Sequence, residues 1–513
     1  MSFRNKRAVS MLATVIALWT LSSAITASAD DRVFDIVAPF EIGGLDPSIS
    51  GFVFQRMQIT ETLLDADAEG APLPGLADSW SVSEDGKQWT FNIRPGVKFH
   101  DASPLTAEAV AYSLNSARGK TGMLRNARID SITAQASQVV IALAEPFKPL
   151  PALLAHSSTN ILAPAAFDAA GNVQKIIGTG PYQLTLLEPP QRLAAQRFGG
   201  YWGKKPSIEK TTYLAAGRGE TRALMAESGG AELVFQLDPP SIARLKRVKN
   251  TRVLVGPVPR VVVLAANAGQ GATAPVEVRR ALSLAIQRDG IAAAVLRAPG
   301  TGATQMFADN VKAWHDPTLA PLTYDPQAAR ELLKAQGWVM GSGGIVEKHG
   351  KPLRLKLITY SDRPELPLIA TALQAQWREV GVDVEVSVEN ASAIPAAHND
   401  GTLQLALYGR NYALVPDPLI TLMADFGNGG SEWGPMQWRN PDFDRFISAL
   451  LVSPNPTEQQ QLRNQVVALI QADLPLIPIA WYQQSIAVLN TVKGASIDPF
   501  ERTFGLSTME WTK

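Results

Sequence analysis

The densest recognition chemistry in this 513-residue chain is the run Tyr408-Gly409-Arg410-Asn411-Tyr412, followed by Pro416-Asp417-Pro418. A guanidinium presents a planar fork that holds a carboxylate through two charge-assisted bonds, and a carboxylate can receive an ammonium group. Arg410 and Asp417 could therefore each bind part of a charged solute, with Tyr412 beside them, or Arg410 could pair with Asp417 or another acid as a staple within the loop. Arg56 precedes an apolar helix pattern of Ile59, Leu63 and Leu64, and points either into a cleft or to the surface. His156 and Ser157 open the polar stretch His156-Ser157-Ser158-Thr159-Asn160, set between an apolar helix end and Leu162-Ala163-Pro164, where they could line a cleft. Trp433 and Trp438 occupy the segment from Gly429 to Trp438, rich in glycine. Aromatics in such a loop often close on a ligand, although one of the two belongs to a core.

Catalysis has little support. The chain holds no G-x-S-x-G elbow, no H-E-x-x-H, no P-loop and no complete G-x-G-x-x-G, and 0 cysteines deny it a thiol nucleophile. Gly178-Thr179-Gly180 lacks the third glycine, and Pro181 favours a tight bend over a phosphate cradle. A serine hydrolase built from dispersed residues, secreted and acting on peptides, stays as the alternative class. The 5 histidines (His100, His156, His315, His349 and His398) are scattered singly rather than at ligand spacing. A metal would reach His156 only as part of a chelate, and no cofactor is expected.

The elements that must position these residues are mixed. At about 150 residues per domain the length suggests two to four units. Lys+Arg and Asp+Glu both total 47, so no global field attracts nucleic acid or an anionic membrane, and charge recognition must be local. Strand and helix patterns alternate without repeats, which argues for α/β lobes. Trp80 and Val82, then Trp89, Phe91 and Ile93, alternate about the turn Glu84-Asp85-Gly86, predicting a hairpin with one apolar face. Pro95-Gly96 fits a type II turn. After Pro275, Val278, Leu282, Ala285 and Ile286 share one helix face, leaving Arg279, Arg280 and Arg288 mostly outward. Asp325-Pro326 and Gly337 mark the ends of a helix spanning Tyr324 to Trp338. Leu353 to Leu357, an amphipathic run through Trp377, and Val382 to Val388 predict a right-handed βαβ unit. Leu403, Leu405 and Leu407 form a strand that projects the Arg410 loop from the end of a sheet, where open α/β lobes bind ligands.

The string from Gly75 to Glu108, with Leu76-Ala77-Asp78-Ser79-Trp80 and Gly96-Val97-Lys98-Phe99-His100-Asp101, resembles the extracytoplasmic solute-binding proteins of ABC importers for peptides and nickel, bacterial solute-binding family 5. Further landmarks follow in that family's order: Ile177 to Tyr182, Tyr201-Trp202-Gly203, Ala223-Leu224, Gly230 to Leu233, Val278 to Asp289, Tyr324 to Trp338, Asn440 to Asp444, and Leu476 to Ile479. The resemblance implies an α/β, two-lobed periplasmic-binding-protein fold of class II type, with an extra inserted subdomain and a hinge between lobes. It implies lobe I at 30–56, 180–264 and 480–513, the inserted subdomain at 57–179 and lobe II at 265–479. His100 becomes a fold element.

By the same resemblance the Arg410 loop lies at the inter-lobe cleft. Dipeptide-binding relatives use an acid there for the ligand's amino group, and nickel-chelate relatives carry an arginine-containing version. Those relatives also present an arginine where Ser157 stands, so that contact does not transfer directly, and metallophore-binding relatives contribute an arginine near Arg56. The implied function is a monomeric periplasmic receptor that captures a short peptide or a nickel-chelator complex and delivers it to an ABC permease in the inner membrane, without bond chemistry. Arg4, Lys6 and Arg7, the apolar run from Met11 to about Ala24, and Ala27-Ser28-Ala29 read as a signal peptide over 1–29. With no cysteine to acylate, N-terminal sequencing of the secreted protein should give an unmodified start at Asp30; an uncleaved or acylated terminus would refute this.

Overall fold

A computed structural model describes residues 32–512 apart from 121, 362, 414, 428 and 429; the signal peptide reading lies outside the described residues. One ten-stranded mixed sheet runs through the described chain. Thr251–Ala266 and Leu476–Leu489 form its antiparallel middle. On one flank lie Leu405–Asn411, Arg354–Tyr360 and Asp383–Glu389. On the other lie Leu233–Phe235, Val33–Ala38, Lys210–Ala215, Arg192–Arg197 and Tyr182–Glu188.

Separate apolar cores build on the two flanks. One runs from Val261 to Ile479 and centres on buried Leu357, Leu373, Trp377 and Leu407. Another combines Phe34, Phe54, Tyr182 and Tyr213 with Ile486, Phe504 and Met509, bringing the C-terminal segment home to the first strand. The chain enters and leaves the first core through the two middle strands. Their ladder breaks between Pro257 and Val261 and shifts again between Val262 and Val263. Pro257 and Pro259 have no N–H to give, and a bulge bends the strand that carries it. The expected lobe boundaries at 264 and 480 fall inside these strands.

A third core belongs to a four-stranded antiparallel sheet of Ala77–Val82, Gln88–Ile93, Gln138–Leu143 and Ile129–Gln135. The predicted hairpin forms, with Val82 opposite Trp89, and Gly96 takes φ +78° in its turn. Trp89, Phe91 and Ile93 are buried, but Trp80 is half-buried and Val82 exposed, because the first strand of the pair is the sheet's edge. Val415 and Ile420, distant in sequence, are fully buried in this core, so the subdomain and the Val261–Ile479 core share packing.

The helix after Pro275 spans Val276–Leu284, with Val278, Leu282, Ala285 and Ile286 buried as predicted. Arg279 and Arg288 are buried too, contrary to the outward expectation. Arg279 donates to the carbonyls of Thr273, Ala274, Asp473 and Leu474, and Arg288 to those of Ser283 and Pro478. Carbonyls left open where helices and turns end supply what a buried guanidinium needs. The helix Pro326–Ala335 is capped by Asp325, with Gly337 at φ +83°, and Arg354–Tyr360 pairs parallel with Asp383–Glu389 around the helix Glu365–Glu379.

Several of the sequence landmarks converge on one carboxylate. Glu61 accepts hydrogen bonds from the hydroxyls of Thr179 at 2.7 Å and Tyr201 at 3.0 Å, and from the Trp202 indole at 3.0 Å. A Cβ on Gly178 or Gly180 would stand 2.3 or 2.2 Å from the carbonyl oxygens of Ile59 or Gln58, so only glycine lets this strap lie against the Glu61 segment. Burial pushes the Glu61 pKa from 4.5 up to about 7 against the pull of its three donors. The folded state thus keeps the proton while the unfolded chain releases it, so this stabilisation is complete below pH 4.5 and is lost progressively as pH rises to about 7. Glu61→Gln should remove that slope, as measured by melting temperature from pH 4 to 8; an unchanged slope would reject Glu61 as its source.

Candidate functional site

Where the two main cores meet, the middle strands leave a cavity of about 360 Å³. Gln236, Asp238 and Lys246 face it from one side and Arg297 and Glu365 from the other, with Tyr482 on the strand between. Asp238 is engaged as a helix cap, accepting from the Ser241 N–H at 2.9 Å and its hydroxyl at 2.8 Å. The Tyr482 hydroxyl donates to Glu365, and Arg363 donates to the same hydroxyl at 3.2 Å.

From Tyr482 a charged seam continues away from the cavity. Arg260 and Arg363 lie over the Tyr482 ring at 5.3 and 5.4 Å, and Arg260 pairs with Glu501 at 2.6 Å. Asn411 also donates to Glu501 at 3.0 Å, and Arg56 donates to the Glu501 carbonyl at 2.5 Å. Burial works to raise the Glu501 pKa, but Arg260, Arg56 and Arg363 outweigh it and hold the carboxyl below its usual range. Arg56 stacks at 4.3 Å on Phe40 and 5.1 Å on Phe52, and burial lowers its pKa. The seam leaves polar atoms without partners: Nη1 of Arg56, Nη1 of Arg260, Oε1 of Glu501 and the Tyr412 hydroxyl, all buried. An orphaned buried polar group costs about 1–3 kcal/mol, so these four, three donors and one acceptor, mark where a solute or water can complete the bonding.

The seven side chains singled out from sequence lie outside the walls of the 360 Å³ cavity. Arg56 joins the seam, and Tyr412 lies beside it, edge-on to Phe307 at 5.5 Å. Arg410 is held by Asp425 rather than Asp417, through two bonds of 2.6 Å, and Ser431 donates to the same carboxylate at 2.6 Å. Asp417 caps the helix Pro418–Phe426 through the Leu419 N–H at 3.0 Å and accepts from the Trp314 indole at 3.2 Å. His156 accepts the Ser158 N–H at 3.1 Å at the start of the turn Ser157–Thr159, and burial lowers its pKa to about 4. Trp433 is half-buried against Tyr408 and Tyr360, whereas Trp438 is the core member of the pair, buried against Phe426 and Phe443.

Sequence reasoning passed over Arg260, Gln236, Arg297, Glu365, Tyr482 and Glu501. Arg260 carried one signal, a lone charge in the apolar run Val258-Pro259-Arg260-Val261-Val262-Val263. Among the described residues no group of three or more His, Asp or Glu side chains could hold a metal ion.

The family model described as bacterial extracellular solute-binding proteins, family 5 Middle, matches residues 71–433. The nickel-binding periplasmic protein of Escherichia coli strain K12 is 28% identical over 491 residues, covering 92% of this chain and 93% of that one. The dipeptide-binding protein of the same strain is 26% identical over 458 residues, covering 83% and 84%. Among solved structures, NikA from Brucella suis in complex with Fe(III)-EDTA superposes with TM-score 0.85 at 26% identity, over 94% of this chain and 100% of that one. The oligopeptide-binding protein AppA from Bacillus subtilis, in complex with a nonapeptide, shares the fold with TM-score 0.77 at 19% identity, over 93% and 99%.

The Asp425 side chain is fully buried, and Arg410 is its cationic partner. Arg410→Ala should destabilise the protein by about 3–5 kcal/mol in denaturant titration, because it strands that carboxylate. Lys351→Ala, on the exposed strand Lys351–Pro352, should change nothing measurable. Equal stability of the two variants would show the pair to be dispensable.

Proposed function

This chain belongs to the bacterial extracellular solute-binding proteins of family 5, and we propose that it captures a charged, peptide-sized solute between two lobes and passes it to an ABC permease. The solute is a short peptide or a metal complex of an amino-acid-derived chelator, nickel being the favoured metal. The observation that carries this reading is the 360 Å³ cavity placed where two cores meet across only two strands. Bending at the broken ladder near Pro257 would open or enclose it, and closure around solute is the state a permease can read.

A metal would travel inside its chelator, which leaves His156 as a candidate contact through the chelate. Of the side chains singled out from sequence, Arg56 and Tyr412 keep an unpartnered buried polar atom, which supports them as ligand contacts at the far end of the seam. His156, Ser157, Arg410, Asp417 and Trp433 complete the proposed surroundings. The lobes are taken as 30–56 with 180–264 and 480–513, and 265–479, with 57–179 inserted. The mature protein works in the periplasm as a monomer without a lipid anchor.

Native mass spectrometry of the protein purified from its own periplasm should reveal a co-purified solute by mass. Adding that solute back to stripped protein should reduce the radius of gyration in small-angle scattering and raise the melting temperature, by about 2.7 kcal/mol of stabilisation at a hundredfold excess over Kd. No bound solute and no compaction would end the receptor reading.

A further inference from the structure

A chain of formal net charge +0 still concentrates one sign locally: the run Lys246-Arg247-Val248-Lys249-Asn250-Thr251-Arg252 puts four cations in seven residues with no acid among them. It leads from the end of the helix Pro239–Leu245 into the start of the strand Thr251–Ala266. Lys246, Arg247 and Lys249 are exposed, and among the described residues no ion pair or hydrogen bond holds their side chains. Arg252 donates to the Leu489 carbonyl at 3.3 Å, a neutral partner that leaves its charge standing.

The two acids that face this helix are engaged elsewhere. Glu227, on the helix Gly219–Ser228 packed against it, lies 3.3 Å from Nε of Arg244, and Asp238 caps the helix through Ser241. Four like charges without a counter-charge make a local field that attracts anions over about a Debye length. Its place is informative too. Lys246 lines the 360 Å³ cavity together with Ile242 and Val255, so the run begins at the cavity's edge.

What such a run fits follows from what it lacks. Its one apolar residue, Val248, is half-buried, so it offers no exposed anchor of the kind on which protein interfaces centre. Side chains without fixed partners present charge without fixed geometry, which suits phosphates in a fluid headgroup layer that rearranges around them. We propose that this run docks the protein reversibly on the anionic phospholipid headgroups of the membrane that holds the permease, with the cavity's edge turned toward the bilayer. The identity of that membrane rests on the receptor reading above; the attraction itself depends on no particular solute. A chain with 0 cysteines offers no thiol for acylation, and charge supplies an attachment that needs none. Receptor is thereby concentrated where its permease lies.

The test uses the full mature protein and vesicles of phosphatidylcholine, alone or mixed equally with phosphatidylglycerol, sedimented at low ionic strength. Wild type should bind the mixed vesicles about a hundredfold more tightly than the pure ones, and raising salt to about 0.15 M should weaken that binding several-fold. Arg247→Gln with Lys249→Gln removes two exposed charges that lie outside the cavity wall, and at about fivefold per charge should weaken vesicle binding about 25-fold. Lys334→Gln with Lys351→Gln makes an equal change of net charge at exposed sites far along the chain and should leave binding unchanged. The absence of native cysteine also permits single labels. A fluorophore on Asn250→Cys should be quenched by a lipid-borne quencher in mixed vesicles, whereas one on Lys351→Cys should not.

Equal binding to the two kinds of vesicle, equal loss in the two double variants, or equal quenching at the two labels overturns the proposal. Binding to permease-bearing phosphatidylcholine vesicles but not to phosphatidylglycerol also overturns it, and assigns the run to an acidic face of the permease. Compaction by the co-purified solute should be intact in the protein carrying Arg247→Gln and Lys249→Gln. Failure of the membrane contact is therefore read from vesicles and failure of the receptor reading from scattering, and neither can be mistaken for the other.

Discussion

Two strands, Thr251–Ala266 and Leu476–Leu489, are the constraint on which everything else depends. Each lends part of its length to one core and part to the other, and their burial shows it. From Thr251 to Pro257 the first strand has a sheet neighbour on one side only and is largely half-exposed; from Arg260 to Ala266 it is flanked on both sides and fully buried. A single strand thus reads as an edge in one lobe and as a centre in the other. The prolines fall at the change of role, where a missing N–H does least harm and a bend is most useful. The cavity lies at this change of role because neither core can extend its packing across an interrupted ladder.

Arginine solves two different problems here. Arg222, Arg279 and Arg288 lie inside a lobe and are satisfied by backbone carbonyls, fixing loop geometry without any acid. Arg56, Arg260 and Arg363 gather along the inter-lobe seam around Glu501 and Tyr482. A buried charge is costly unless bonded: burial lowers the pKa of all three arginines in the first group, and the carbonyls they bond offset that cost. In the second group, Arg56 and Arg260 retain free donors. Formal net charge +0 over the chain conceals this division: recognition comes from how completely each cation is engaged, not from how many there are.

The Glu61 cluster gives the subdomain a comparable anchor. Thr179 and Tyr201-Trp202 meet at the carboxylate of Glu61, more than a hundred residues before them in the chain, so these landmarks serve one buried acid. Val415 and Ile420 then dock into the subdomain core, so it grips the lobe that the middle strands allow to move.

Local pattern in the chain was enough for the helix capped by Asp325, the βαβ unit from Arg354 to Glu389, the turn at Gly96 and the family itself, because each depends on spacing between near neighbours. Patterning also singled out Arg410, but it set the residue in a loop beyond the strand, whereas Arg410 lies inside Leu405–Asn411 opposite Val261. Nor could it see that Asp425 occupies the guanidinium, since pairing is a matter of distance across a fold. The outward reading of Arg279 and Arg288 failed for the same reason: periodicity sorts apolar from polar residues, and a buried cation satisfied by distant carbonyls breaks that rule unseen. Gln236, Arg297, Glu365 and Tyr482 belong to four separate stretches of chain and carry no motif. Only tertiary structure decided that they share one cavity, because strand crossing and backbone geometry, not residue order, determine which side chains face the gap between two cores.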